Sequence, residues 1–154
     1  MKLIIKKSKI EGKGIFAHKS IKKYEKVFKF ADRVIKINHK HGCHCKICKR
    51  CIQIDKFNWL YPNQESYGWY LNHNCNPSCG IKGKYIVALK NIRPKEEISI
   101  DYSTTNNDEV WEMKCYCNNS KCRNKIKSIQ FLPKNLYKKY KGFIPKYVEK
   151  SYKI

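Results

Sequence analysis

Asn72-His73-Asn74-Cys75-Asn76-Pro77-Ser78-Cys79 is the stretch on which the fold turns. It mixes turn formers with metal-binding side chains, so it reads as a structured loop rather than a strand or a helix. Upstream, residues 57–71 are rich in aromatics, with Tyr61-Pro62-Asn63 as a turn and 67–71 compatible with either helix or strand. Downstream, 85–89 and 97–102 read as strands separated by an Arg93-Pro94-Lys95 turn. Farther out, residues 1–10 read as a strand, followed by the turn Glu11-Gly12-Lys13-Gly14 and by Ile15-Phe16-Ala17. Segments 26–30 and 33–37 alternate apolar and polar and read as two more strands. Apolar residues at 132, 136, 137, 140, 143 and 144 predict a short amphipathic helix broken near Gly142. The fold class is therefore mainly β, a β-rich α+β chain of many short strands with little helix.

With 154 residues, 42% apolar and 13% aromatic, the chain can bury one core and is too short for two ordinary domains. No apolar run approaches the ~18 residues a membrane span needs, and Lys6, Lys7 and Lys9 interrupt the apolar start before a signal peptide could form. A cytoplasmic or nuclear location is expected, including a host nucleus if the source is a bacterium or virus. The net charge of +22 points first to nucleic acid or another anionic partner, with no membrane partner expected. It comes from 30 Lys and only 4 Arg, a bias that AT-rich coding also produces, whereas phosphate-reading surfaces favour the forked guanidinium. One segment is acidic: residues 96–112 carry six carboxylates and no Lys or Arg.

Nine cysteines stand at 43, 45, 48, 51, 75, 79, 115, 117 and 122. Cys115-x-Cys117-x4-Cys122 is spaced too tightly for ready disulfide pairing, yet three thiolates so placed can converge on one tetrahedral zinc. Such sites close with four protein ligands, and Cys75 in its polar turn is the leading fourth; buried thiols without metal are the alternative. Cys43, Cys45, Cys48 and Cys51 offer a second set of four thiolates, with His41 and His44 as spares. That cluster suits a second zinc, redox-active thiols or part of an iron–sulfur run. Cys79 has no evident partner and is expected to be structural.

Four motifs occur in order: Gly12-Lys13-Gly14-Ile15-Phe16-Ala17, Asn72-His73-Asn74-Cys75-Asn76-Pro77, Glu96-Glu97-Ile98-Ser99-Ile100-Asp101-Tyr102, and Cys115-x-Cys117-x4-Cys122-Arg123. Each is weak by itself, and Asn72-His73 alone would be only a turn. Together, over about residues 9–126, they resemble a SET-domain lysine methyltransferase with its post-SET zinc knuckle. The resemblance implies small curved β-sheets with a pseudoknot around the active site. It implies a SET domain over 1–110 with a Cys/His-rich insert at about 39–51, a knuckle over 111–127 and a basic tail over 128–154 with a short helix.

The resemblance also implies S-adenosylmethionine and zinc as cofactors. Gly12, Lys13, Gly14, Asn72, His73 and Tyr102 would contact S-adenosylmethionine, and Tyr102 would be the catalytic tyrosine. The expected reaction is methylation of the ε-amine of a protein lysine, with histones or another basic chromatin protein as first candidates. Such a transfer needs a neutral amine aligned with the methyl group. A free lysine, with a pKa of about 10.4, is mostly protonated, and an apolar channel disfavours its charged form.

The sequence departs from the family pattern at Asn74 (usually Ser), Ser78 (Asn), Trp69 (commonly Arg) and Lys95 (often Gly). Ile100 stands where many relatives use Phe or Tyr to set the number of methyl groups, and it has no hydroxyl to limit the product to one. Glu96, Glu97, Asp101, Asp108, Glu109 and Glu112 flank Tyr102 and suggest an acidic lip for a basic substrate, or merely a solvated acidic segment. The alternative function is a catalytically inactive, zinc-stabilised module that binds nucleic acid or chromatin.

Overall fold

The structure is a computed structural model that describes residues 2–31, 33–37 and 50–153. The first strand is β1 (Leu3–Lys7), and the glycine turn returns the chain into its antiparallel partner β2 (Lys13–Ala17), in register from Leu3↔Ala17 to Lys7↔Lys13. The two expected strands that follow are β3 (Lys26–Lys29) and β4 (Val34–Lys36). Beyond them lie β5 (Ile52–Gln53), β6 (Asn58–Leu60), β7 (Asn72–His73), β8 (Cys79–Lys82), β9 (Tyr85–Ala88) and β10 (Glu97–Ile100). A hairpin, β11 (Glu112–Lys114) with β12 (Lys125–Lys127), and two helices, α1 (Lys134–Tyr140) and α2 (Lys146–Glu149), complete the chain.

The strands form four small sheets, ordered β1-β2-β10-β7, β4-β6-β5, β3-β9-β8 and β11-β12. β-Branched residues dominate their inner faces: Ile15, Ile81, Ile86 and Ile98 are fully buried, and Ile98 sits opposite Ile15 where β10 joins β2. Each such side chain removed from water is worth roughly 1.5–3 kcal/mol, which holds strands too short to be stable alone. A second apolar cluster joins Trp111 and Ile126 to Cys75, Cys115 and Cys117, and a third joins Ile129 and Leu132 to Tyr140, Ile144 and Val148. Tyr102 packs against both the main core and the knuckle cluster.

The ambiguous segment 67–71 is a 3-10 turn over Tyr67–Tyr70, tight because Gly68 lies against the Phe30 carbonyl, where a Cβ would come within 2.4 Å. The strand expected to run to Tyr102 stops at Ile100. The Asp101 carboxylate accepts the Ser103 N–H and winds Tyr102–Thr104 into another 3-10 turn. In the tail, Pro133 and Pro145 precede the two helices, where a missing N–H does no harm, and Gly142 separates them at φ +81°. No helix among the described residues is long and apolar enough to cross a membrane.

Candidate active site and metal centre

β7 is only two residues long and takes its place from β10, with which it pairs in parallel: Ser99↔Asn72 and Ile100↔His73. The pairing continues as Asn74 N–H donates to the Ile100 carbonyl at 3.0 Å. This brings His73 under the turn that carries Tyr102. The Tyr102 N–H donates to His73 Nδ1 at 3.1 Å, and the rings lie 5.4 Å apart. At the other end of the side chain, the Tyr102 hydroxyl donates to the Leu71 carbonyl at 2.6 Å. Burial holds this phenol well above its usual pKa, so it stays neutral. Its ring lines a narrow cleft with about 20 Å³ of free space, walled by Phe30, Ile52, Leu71, Ile100 and Trp111 and by the polar Arg50, Thr105 and Asn106.

The glycine turn is locked to the same site. The Asn72 amide donates to the carbonyls of Glu11 and Lys13 and, at 2.9 Å, to Glu97 Oε1. Glu97 also receives the Ser8 hydroxyl at 2.8 Å. Gly14 permits this, since a Cβ there would stand 2.1 Å from the Glu97 carboxylate. Gly12 differs: it is left-handed at φ +50° and faces open space, while Lys13 is exposed beside it.

Two cysteines of the knuckle, Cys115 and Cys117, lie beside Cys75. Ligand atoms of His73, Cys75, Cys115 and Cys117 all lie within 4.8 Å of one another, and all four residues are buried. The Cys122 thiol lies against those of Cys115 and Cys117. Burial pushes the thiols of Cys75 and Cys115 up. Burial also raises Cys117, but backbone N–H groups of Cys75 and Asn119 reverse this and leave it lowered. Further N–H groups aim at sulfur: Arg123 N at Cys75 and Asn124 N at Cys122, both at 3.4 Å. Donors converging on sulfur fit thiolates bound to a metal.

His73 stands 3.3 Å from Cys75 through Nε2. Because its Nδ1 accepts the Tyr102 N–H, the neutral ring carries its proton on Nε2, which makes it a donor to sulfur rather than a ligand. Burial keeps it neutral by pushing its pKa down to about 4. Cys122, whose thiol lies against those of Cys115 and Cys117, is the residue that could complete the set in its place.

Arg123 joins the two halves of the site. Its Nε donates to Cys75 Sγ at 3.4 Å, its Nη1 to Ser103 Oγ at 3.2 Å, and its Nη2 to both oxygens of Asp101. Asp101 and Ser103 flank Tyr102, so the residue after the last knuckle cysteine fixes both sides of the tyrosine. Sequence reasoning reached Arg123 only as an appendage to the knuckle. Its place directly after Cys122, with a buried acid before Tyr102, is the signal that pairs them.

Other expectations fare differently. Cys43, Cys45 and Cys48, with His41 and His44, lie outside the described residues, while Cys51 is buried beside the cleft. Cys79 is a core thiol, raised to about 12 by burial. The acidic segment does not form a free lip. Asp101 is held by Arg123, Glu97 by Ser8 and Asn72, Glu96 by Lys90, Glu109 by Lys153 and Glu112 by Lys125 and Lys127.

Comparison with known proteins adds three observations. The family model described as SET domain matches residues 12–103. A provisionally named histone-lysine N-methyltransferase 1 of Plasmodium falciparum (isolate 3D7) is 26% identical over 142 residues, covering 79% of this chain and 2% of that protein. The histone-lysine N-methyltransferase TRX1 of Oryza sativa subsp. japonica is 23% identical over 145 residues, covering 84% of this chain and 14% of that protein. The chain thus spans a small part of the length of these curated relatives.

Proposed function

Since this chain belongs to the SET-domain family, whose model it matches over more than half its length, we propose that it methylates the ε-amine of lysine in a protein substrate. The observation that carries the reading is Tyr102, fixed at its N–H by His73 and at its hydroxyl by the Leu71 carbonyl, on the wall of a narrow cleft. The names of the two relatives support lysine methylation and make histones the first substrate to try.

The chain's own groups account for most of what the reaction needs. Phe30, Trp111 and Ile100 supply the apolar part of the cleft wall and Arg50 adds a positive charge, and both disfavour an ammonium and favour the neutral amine. With its proton committed to Leu71, the Tyr102 hydroxyl presents only lone pairs to the cleft. It accepts an N–H of the incoming amine and turns the nitrogen lone pair along the axis of attack. S-adenosylmethionine, when bound, supplies the electrophilic methyl group. The open left-handed turn at Gly12, with Lys13 and Gly14, and the Asn72–His73 strand are the surfaces that fit it. Zinc would be held by Cys75, Cys115, Cys117 and Cys122, with His73 and Arg123 donating to the Cys75 thiolate.

Ile100 is buried and lines the cleft without a hydroxyl, which leaves no hydrogen-bond partner at that position to stop after one transfer. Products beyond monomethyl-lysine are expected. The test is radiolabelled methyl transfer over mixed histones and cell extract, with Tyr102→Phe as control and mass spectrometry of the product. Label incorporated equally by both proteins, or by neither, defeats the reading. The net charge of +22 favours one other function, a zinc-stabilised module that binds nucleic acid without catalysis. That module would bind no S-adenosylmethionine by calorimetry.

A further inference from the structure

The sheet β3-β9-β8 turns one face away from the main core, and its register shows what that face carries. Lys26 lies opposite Val87, Gly80 opposite Val87, and Lys82 opposite Tyr85. Directly opposed residues share a face, as do residues two apart on one strand, so Lys26, Lys82, Tyr85 and Gly80 present to the same side. Gly80 has no side chain there, and a Cβ would meet Phe143 Cβ at 2.7 Å, which places Phe143 on this side too. The Tyr24 ring stacks on Phe143, 5.7 Å between centroids and 6° from parallel.

Three ammonium groups cover these rings: Lys23 over Tyr24 at 4.7 Å, Lys26 over Tyr85 at 4.5 Å and Lys82 over Phe143 at 6.0 Å. All three lysines are exposed, and none pairs with a carboxylate among the described residues. Lys2, Lys90, Lys125 and Lys153, by contrast, each sit beside an acid. Tyr24 is 60% exposed and left-handed at φ +69°, a conformation a bulky residue adopts only when its surroundings impose it.

We propose that this face binds single-stranded nucleic acid. Uncompensated lysines answer phosphates, and the exposed Tyr24 ring, with the half-buried Tyr85 and Phe143 beside it, answers bases, the pairing of features that single strands recruit. The lysine ammoniums now resting on the rings can swing to phosphates as bases take their places. An acidic peptide would use the cations and leave the rings idle, and a membrane would call for apolar side chains that protrude rather than rings already capped by cations. None of the face residues lines the cleft at Tyr102. The inference stands apart from methyl transfer and survives its failure.

The experiment is fluorescence anisotropy with the zinc-loaded full chain and labelled single-stranded DNA, the same sequence as RNA, and its duplex. Titrations run between about 50 and 200 mM salt. Replacing Lys23, Lys26 and Lys82 together by Glu should flatten the salt slope for single strands by about 2, at roughly 0.7 for each phosphate no longer neutralised. The same reversal at Lys134, Lys138 and Lys141, exposed on and just after α1, changes net charge equally and should leave most of the affinity. Tyr24→Ser should weaken single strands about tenfold and leave the duplex unchanged. A glutamine triple at 23, 26 and 82 reads the slope if the glutamate triple unfolds on heating earlier than its parent. Equal losses from both lysine triples overturn the assignment, as does a face triple that binds like the parent. Binding to phosphatidylserine vesicles that single-stranded DNA cannot compete away also overturns it.

Discussion

Nη2 of Arg123 donates to both carboxylate oxygens of Asp101, at 2.6 and 2.8 Å, and thereby binds the zinc knuckle to the turn that carries Tyr102. Asp101 is almost wholly buried; burial lowers the Arg123 pKa, but Asp101 and Cys75 together raise it by more, so the guanidinium stays charged. Arg123→Met strands that carboxylate and should destabilise the fold by about 3–5 kcal/mol in denaturant titration. Arg123→Lys restores the charge without the fork and should recover part of the loss. Unchanged midpoints in both would show that the pair holds nothing.

Tyr102→Phe removes one hydroxyl and leaves the ring. The Leu71 carbonyl loses its donor, for a stability loss of about 1–3 kcal/mol, while the Tyr102 N–H to His73 survives. Methyl transfer should fall at least about a hundredfold if the hydroxyl orients the amine. Initial rates beside a melting curve separate the two effects.

The knuckle distinguishes two fourth ligands. Cys122→Ser should release zinc, measured by a metallochromic dye, whereas His73→Gln keeps a donor near Cys75 and should retain it. In the cobalt-substituted protein, an absorption spectrum of four thiolates is expected from the parent. A nitrogen-containing spectrum together with zinc lost from His73→Gln would make His73 the ligand.

Cys79 and Cys122 should part ways under alkylation. Burial raises the Cys79 thiol to about 12, so it stays protonated and shielded in the folded protein. Once zinc is chelated at pH 8, iodoacetamide should label the half-exposed Cys122 within minutes and Cys79 only as the core unfolds. The same shift means that the unfolded chain loses this proton first as pH climbs above 9. Stability contributed by Cys79 therefore drains between pH 9 and about 12, which alkaline denaturation would read.

Gly14→Ala and Gly12→Ala should differ in kind. At Gly14 a methyl group collides with Glu97, so Asn72 loses its anchor and both stability and S-adenosylmethionine affinity should fall. At Gly12 there is space, and only the left-handed backbone resists, at about 1 kcal/mol. Equal melting points for both variants would contradict the contact.

Much of this fold can be read in the chain before folding. The order of Gly12, Asn72, Tyr102 and the knuckle cysteines specifies the family, and the spacing of 132–144 predicts one tail helix ending near Gly142, whereas the second, at Lys146–Glu149, lies beyond that spacing. Less legible are β5, β7 and β11, two or three residues each, which have no period of their own and exist only because a partner strand fixes them. Tyr102 looked like the end of a strand because no local pattern reveals that Asp101 caps the turn below it. The acidic lip misled for a related reason: charge counted along a sequence ignores which carboxylates the fold consumes in pairs, as Arg123 does with Asp101.

The reach from Cys75 to Arg123 also sets a schedule for synthesis. Asn72, His73, Cys75 and Tyr102 all leave the ribosome well before the guanidinium that ties them together, so a nascent chain carries Tyr102 with the Asp101–Ser103 turn unsecured. Only when residue 123 emerges can the centre close. A chain stalled or cleaved before that point would release thiols at 75, 115 and 117 without the partners that the closed centre gives them, a substrate for oxidation rather than a half-built site.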